Sequence, residues 1–223
     1  MSYNQYRPNN FQPIVKNLII INALVFVAQL TLRITDKLML YPIEAPQFRP
    51  YQIATHLFAH DPSNFFHIVF NMLALWMFGR ILENVWGGKR FLLFYLLCGI
   101  GAAVLHLTIQ HFQYQHALVL ESQGQIEAAQ RIADRLGPAL GASGAVMGVA
   151  VGFAYLFPNT ELYLMFIPVP IKAKWAMMAY VGYDLIFGIT GGDNVAHFAH
   201  LGGAITGFVL VWIWNKRDRN RFY

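Results

Sequence analysis

Six apolar runs constrain this chain more than any other feature: Val15–Leu32, Phe65–Ile81, Phe91–Ile109, Ala139–Phe157, Trp175–Ile189 and Val195–Trp214. A helix that crosses a bilayer takes about 20 mostly apolar residues, with about 17–25 common. In hydrocarbon every backbone polar group has to be satisfied within the protein, and a helix does this inside one segment. Only 12% of the 223 residues are charged and 57% are hydrophobic, whereas a soluble domain carries about 25% charge. The pattern predicts an all-α membrane protein, a six-transmembrane-helix bundle over residues 15–215. Residues 1–14 form a cytoplasmic N-terminal segment and residues 216–223 a basic cytoplasmic tail.

The charges set the orientation. With both termini inside, the inner segments hold Arg7 and Lys16, then Lys89 and Arg90, then Lys172 and Lys174, then Lys216, Arg217, Arg219 and Arg221. The outer loops are charge-mixed, with Asp36, Glu44, Asp61, Glu121, Glu127 and Asp134 among their basic residues. This is the positive-inside pattern, and Trp86, Trp175 and Trp214 fall at the inner ends where an aromatic belt belongs. The net charge of +5 is spread along these flanks and so excludes a nucleic-acid surface. The first run has no small-residue cleavage site and reads as a retained helix. Cys98, the one cysteine, lies in an apolar run and reads as a small buried hydrophobe. The outer loops Thr35–Asn64 and Phe112–Pro138 exceed what a turn needs, and the second contains a helix-like stretch, Gln123–Leu136.

Polar residues then coincide in depth. The second, fourth and sixth helices all enter from the outer face and carry His67 and Asn71, Ser143, and His200 respectively. Taking starts near Asn64, Ala139 and Val195, each group lies roughly 5–11 Å along its helix at 1.5 Å per residue. Gly144, Gly148 and Gly152 recur every fourth residue, as do Ala199, Gly203 and Gly207. Such small-xxx-small stripes allow helix backbones to approach closely, and Ser143 and His200 each stand one residue from a stripe member, Gly144 and Ala199. A serine hydroxyl needs a base to become a nucleophile. His200 fits that role, with His67, Asn71 and the Ser143 N–H as oxyanion donors. Asp184 and Asp193 show no spacing that sets either against His200, so a Ser143–His200 dyad oriented by packing is expected.

These residues resemble the rhomboid intramembrane serine proteases. The resemblance runs from Leu18 to Trp214 and is carried by Gly141-Ala142-Ser143-Gly144, by His67-x-x-x-Asn71 and by Ala199-His200-Leu201-Gly202-Gly203. Thr55-His56, His60 and Gly79-Arg80-Ile81-Leu82-Glu83 add to it. It implies Ser143 as nucleophile, His200 as base, and His67, Asn71 and the Ser143 N–H as the oxyanion hole. It implies a partly submerged first outer loop in which His56, His60 and Glu83 serve structure, and a cap formed by Gly188–Asn194. Substrates would be transmembrane segments of other proteins in the lipid bilayer, cleaved near the outer face, with no cofactor, no metal and no nucleic acid. No seventh helix follows Trp214, so the basic six-helix form and a bacterial plasma membrane are expected. One departure is Met147, which stands where some members carry a tyrosine that stacks on the histidine.

Two rival readings stand beside this one. A non-catalytic rhomboid-like protein would bind transmembrane helices without cutting them. A metal site or transporter would use the pairs His56/His60 and His197/His200, but neither pair has a supporting carboxylate or cysteine in sequence, and metal sites usually need three or four ligands.

Overall fold

The computed structural model describes residues 12–163, 169–190 and 196–217. Four helices there are long and apolar enough to cross a membrane: Pro13–Leu32 (α1), Phe65–Trp86, Gly88–Ser122 (α6) and His197–Arg217 (α10). The second of these is continuous but composite. It runs as α4 (Phe65–Ala74), a π-helical turn (Leu75–Gly79) and α5 (Arg80–Trp86). Two further helices lie against the bundle, α8 (Ser143–Leu156) and α9 (Ala173–Thr190). An antiparallel pair, Glu161–Leu162 with Ile171–Lys172, separates them. The first outer loop carries two short helices, α2 (Thr35–Leu38) and α3 (Gln52–Thr55), and a 3-10 turn at His56–Phe58.

The sequence boundaries shift in three informative places. The third span was expected to end at Ile109, but α6 continues to Ser122, 35 residues in all. At 1.5 Å per residue this is about 52 Å, well beyond a hydrocarbon core of about 30 Å. The extension is rich in Gln and His. It leads into α7 (Ile126–Ala133), a shorter form of the expected Gln123–Leu136 helix, which folds back with Ala117 and Ala129 buried. The fourth helix begins at Ser143, not near Ala139, because Gly141 turns the chain at φ 126°.

α8 is the centre of the packing. Ten of its fourteen residues are buried, and α6 and α10 flank it with small residues of their own. A Cβ placed on Gly203 would stand 1.8 Å from the Gly144 carbonyl oxygen, and one on Gly207 would stand 2.6 Å from that of Gly148. On the other side a Cβ on Gly144 would meet Ala102 at 2.5 Å, and one on Gly148 would meet Cys98 at 2.4 Å. The expected stripe contact between Ala199, Gly203 and Gly207 and the α8 glycines is therefore backbone against backbone. Between lipid-facing helices the association comes from such van der Waals packing, because apolar burial alone gains nothing over lipid.

The opposite end of the bundle is tied by polar and aromatic contacts. Glu83 is buried, and its carboxylate accepts the N–H groups of Ile14 and Val15 at 2.9 and 2.8 Å. This satisfies two of the orphan donors at the start of α1. The Trp86 and Trp214 rings meet edge to face at 5.5 Å, and the Arg90 guanidinium sits 4.3 Å over Trp214.

Gly148→Leu should force α8 away from both α6 and α10, where the added carbon would meet Cys98 at 2.4 Å and the Gly203 carbonyl oxygen at 2.8 Å, and lower the thermal unfolding temperature in detergent by more than about 5 °C. Gly182→Ala, on α9 with nothing within 4 Å of the added carbon, should leave it unchanged or raise it, since Ala is the better helix former. Equal unfolding temperatures for wild type and Gly148→Leu would disprove the contact.

Candidate functional site

The segment before α8 is held from three directions before Ser143 is reached. Leu40 and Ala139 exchange backbone hydrogen bonds at 2.8 and 2.9 Å. The Gly141 N–H donates to the His56 carbonyl at 3.0 Å, and the Gln110 amide donates to the Gly137 carbonyl at 2.7 Å. The long outer loops thus become a collar. His111 of α6 also bonds Glu44 of the first loop. Gln29 of α1 clasps that loop by donating to the His60 carbonyl and accepting the His60 N–H.

Ser143 is the first residue of α8, so its N–H lies in the unsatisfied first turn at the positive end of the helix. Its Oγ lies 2.9 Å from His200 Nε2. His200 is buried in the first turn of α10, and its Nδ1 lies 3.1 Å from Asp184 Oδ1. The expectation that no acid stands against His200 is corrected here. Asp184, 1% exposed on α9, backs the histidine directly. His197 Nδ1 lies 2.6 Å from the same oxygen. An ionised carboxylate only accepts, so both Nδ1 atoms carry hydrogen. His200 is thereby left with Nε2 as an acceptor for the Ser143 hydroxyl. Asp193 lies outside the described residues, as does most of the Gly188–Asn194 stretch.

Asp184 also supplies the carboxylate that the His197/His200 pair lacked in sequence. The three ligand atoms lie within 4.8 Å of one another. Each Nδ1 contacts Asp184 Oδ1 at hydrogen-bond length, so both rings are directed at one oxygen. The set is held together through Oδ1 as an acid between two imidazoles, while Asp184 Oδ2 is buried without a hydrogen-bond partner among the described residues.

His67 and Asn71 line the same cleft as Ser143 and His200. The Asp61 N–H donates to His67 Nδ1 at 3.3 Å. A neutral ring then keeps its proton on Nε2, the atom that faces the serine loop. A Cβ on Gly141 would lie 2.9 Å from His67 Nε2 and 3.5 Å from Ser143 Oγ. Gly141 is therefore required twice, by its positive φ and by the space between these groups. Asn71 Nδ2 donates back to the His67 carbonyl at 2.8 Å, one turn along the same helix, which fixes its amide at the wall of the cleft. The tyrosine absent at Met147 has a counterpart. The Tyr180 ring lies 6.2 Å from His200 at an interplanar angle of 28°, and Met147 is a buried cleft residue.

The cleft has a volume of about 680 Å³. Apart from the polar cluster its walls are apolar, with Phe66, Phe70 and Phe78 on one side and Met177 and Tyr180 on the other. It therefore combines a hydrogen-bonded serine with room for an apolar chain.

The family follows from comparison with known proteins. The family model of the Rhomboid domain matches residues 47–217. The chain belongs to the rhomboid family. It is 32% identical over 212 residues to "RHOMBOID-like protein 12, mitochondrial" of Arabidopsis thaliana, which covers 94% of this chain and 60% of that protein. It is 32% identical over 158 residues to "Rhomboid protein 1, mitochondrial" of Saccharomyces cerevisiae, covering 71% and 40%. It is 29% identical over 213 residues to mouse "Presenilin-associated rhomboid-like protein, mitochondrial", covering 93% and 51%. The chain spans about half the length of the curated relatives it matches. Their names point to mitochondria, in conflict with the expected bacterial plasma membrane; what stands for this rhomboid is a multi-pass integral membrane protein.

The collar outside the spans makes this rhomboid sensitive to acid. Burial pushes His56 down to about 4, and burial with the neighbouring His67 ring pushes His60 down to about 4. The unfolded chain takes up these protons near pH 6.5. Stability is thus full above pH 6.5 and falls as pH drops toward 4, where only the unfolded chain binds protons readily. His60→Leu keeps the backbone bonds to Gln29 and removes one of the two groups. It should flatten the fall in unfolding temperature between pH 7.5 and 5. An unchanged slope would place the acid sensitivity elsewhere.

Proposed function

We propose that this rhomboid is an intramembrane serine endopeptidase that cleaves transmembrane segments of membrane proteins near the outer membrane face. The hydrogen-bond chain Ser143–His200–Asp184, opening on an apolar cleft, is the observation that carries this reading. Buried ionisable groups in a membrane protein are costly and usually functional, and here three of them align behind one hydroxyl.

In the proposed reaction Ser143 Oγ attacks the scissile carbonyl carbon while His200 Nε2 takes the hydroxyl proton. Asp184 holds the ring with Nδ1 toward itself and stabilises the imidazolium; the acid itself stays ionised. The tetrahedral oxyanion is met by the Ser143 N–H, the His67 Nε2–H and the Asn71 amide, donors already in place where the charge develops. His200 then protonates the departing amine, and a water activated by the same ring hydrolyses the acyl-enzyme. No cofactor enters this chemistry. The phenylalanine wall and the Met177–Tyr180 wall favour an apolar segment as substrate.

In the same reading α8 and α9 are the fourth and fifth spans of a six-helix bundle with both termini on the basic, inner side. At 14 residues α8 is about 21 Å long. This suits a helix that starts below the outer surface, beneath the collar, and so carries Ser143 under the lipid headgroups.

A fluorophosphonate probe tests the reading without a known substrate. Detergent-purified wild type should label, and Ser143→Ala and His200→Ala should not. Asp184→Asn should slow labelling by a factor of 100 or more, in line with about 10⁴ lost when the acid of a serine triad is made neutral. Folded wild type that fails to label would favour helix binding without cleavage.

A further inference from the structure

A second cleft lies at the other end of the molecule, between α1 and the lower part of the second span. It has a volume of about 100 Å³ and is lined by Lys16, Ile19, Ile20, Trp76 and Arg80 among others. Arg80 stands six residues before Trp86, about 9 Å up the helix from the inner aromatic belt. Its side chain is exposed toward the lipid side, with the guanidinium 4.4 Å over the Trp76 ring. A cation at that depth is costly without a counter-charge.

No carboxylate among the described residues pairs with it. Among the described residues neither Arg80 nor Lys16 forms an ion pair. Glu83, one turn below Arg80, is buried and engaged by the N–H groups of Ile14 and Val15. Its contact with those two residues also sets the register. It brings the start of α1, and so Lys16, to the level of the last turns of the second span. Two cations from two helices therefore flank one narrow opening, and above them Ile19, Ile20 and the Trp76 indole form an apolar wall, with Ile20 and Trp76 exposed.

We propose that this cleft binds an anionic phospholipid of the inner leaflet. The phosphate diester sits between the Lys16 ammonium and the Arg80 guanidinium, and one acyl chain lies along Ile19, Ile20 and Trp76. Charge and depth together select this occupant. A free anion would leave the apolar wall bare, and a zwitterionic lipid would bring its own cation to the pair. Basic pockets between helices on the inner side suit anionic headgroups in this way. The site stands on α1 and the second span and does not depend on the reaction proposed above.

Native mass spectrometry of the full chain tests it, from mixed micelles holding equal phosphatidylglycerol and phosphatidylcholine. Wild type should retain phosphatidylglycerol preferentially. The variant Lys16→Gln/Arg80→Gln should bind it less, by roughly fivefold for each cation removed. Lys89→Gln/Arg217→Gln, with the same charge removed elsewhere on the inner face, should change binding less than twofold. Equal loss in both double variants would reduce the effect to general surface charge and overturn the site. Equal retention of both lipids by wild type would overturn it as well, and this reading holds even if the first variant fails to fold. Displacement of the lipid by millimolar inorganic phosphate would point to a free-anion site and overturn the lipid as occupant.

Discussion

Contact between the α8 and α10 backbones, with no side chain between them, is the constraint on which the rest of this molecule depends. Ser143 and His200 are 57 residues apart and lie on different helices. Their 2.9 Å approach needs the two helix axes closer than most side chains permit. Gly144, Gly148, Gly203 and Gly207 supply that closeness, and Ala102 and Cys98 on α6 fill the other flank with small groups. In lipid there is no large gain from hiding apolar surface, so tight contact and dispersion have to hold the helices. The same stripe that joins the bundle thereby sets the serine-to-histidine distance.

A second layer of order comes from outside the membrane. Helix α8 begins only at Ser143, and the residues before it would be free to wander without the first outer loop. Leu40, His56 and Gln110 each take a backbone group of that segment. The loop is itself fastened to α1 through Gln29 and to α6 through His111. Two loops of unusual length thus behave as one scaffold that aims Gly141 and Ser143 at His67.

Much of the site was legible because polar residues have few reasons to sit in apolar helices. Ser143, His200, His67 and Asn71 stood out on that ground, and the structure brings all four to one cleft. Asp184 obeys the same rule, as a lone acid in an apolar run, but its place behind the histidine is not legible because 16 residues from His200 is no helical spacing. That spacing belongs to a hairpin between α9 and α10, where the pairing of residues depends on how the two helices pack. Tyr180, one turn before Asp184 on the same face, is not legible for the same reason, since it reaches His200 from α9 and not from the Met147 position on α8. The helix ends shifted where turn chemistry outweighed hydropathy, as at Gly141 and in the Gln- and His-rich extension of α6.

The sequence by itself determined that the chain is a helical membrane protein, which segments are apolar, which end is basic, and which small and polar residues repeat on a helical period. These are properties of composition and local spacing, and they follow from the cost of bare backbone and charge in hydrocarbon. Only the tertiary structure decided that an acid from α9 completes the hydrogen-bond chain, that Tyr180 flanks the histidine, and that Lys16 and Arg80 share one cleft. Each of these joins residues from different helices. Their meeting is set by axis separation, rotation and register, which arise from all the contacts between helices at once and are written in no single segment.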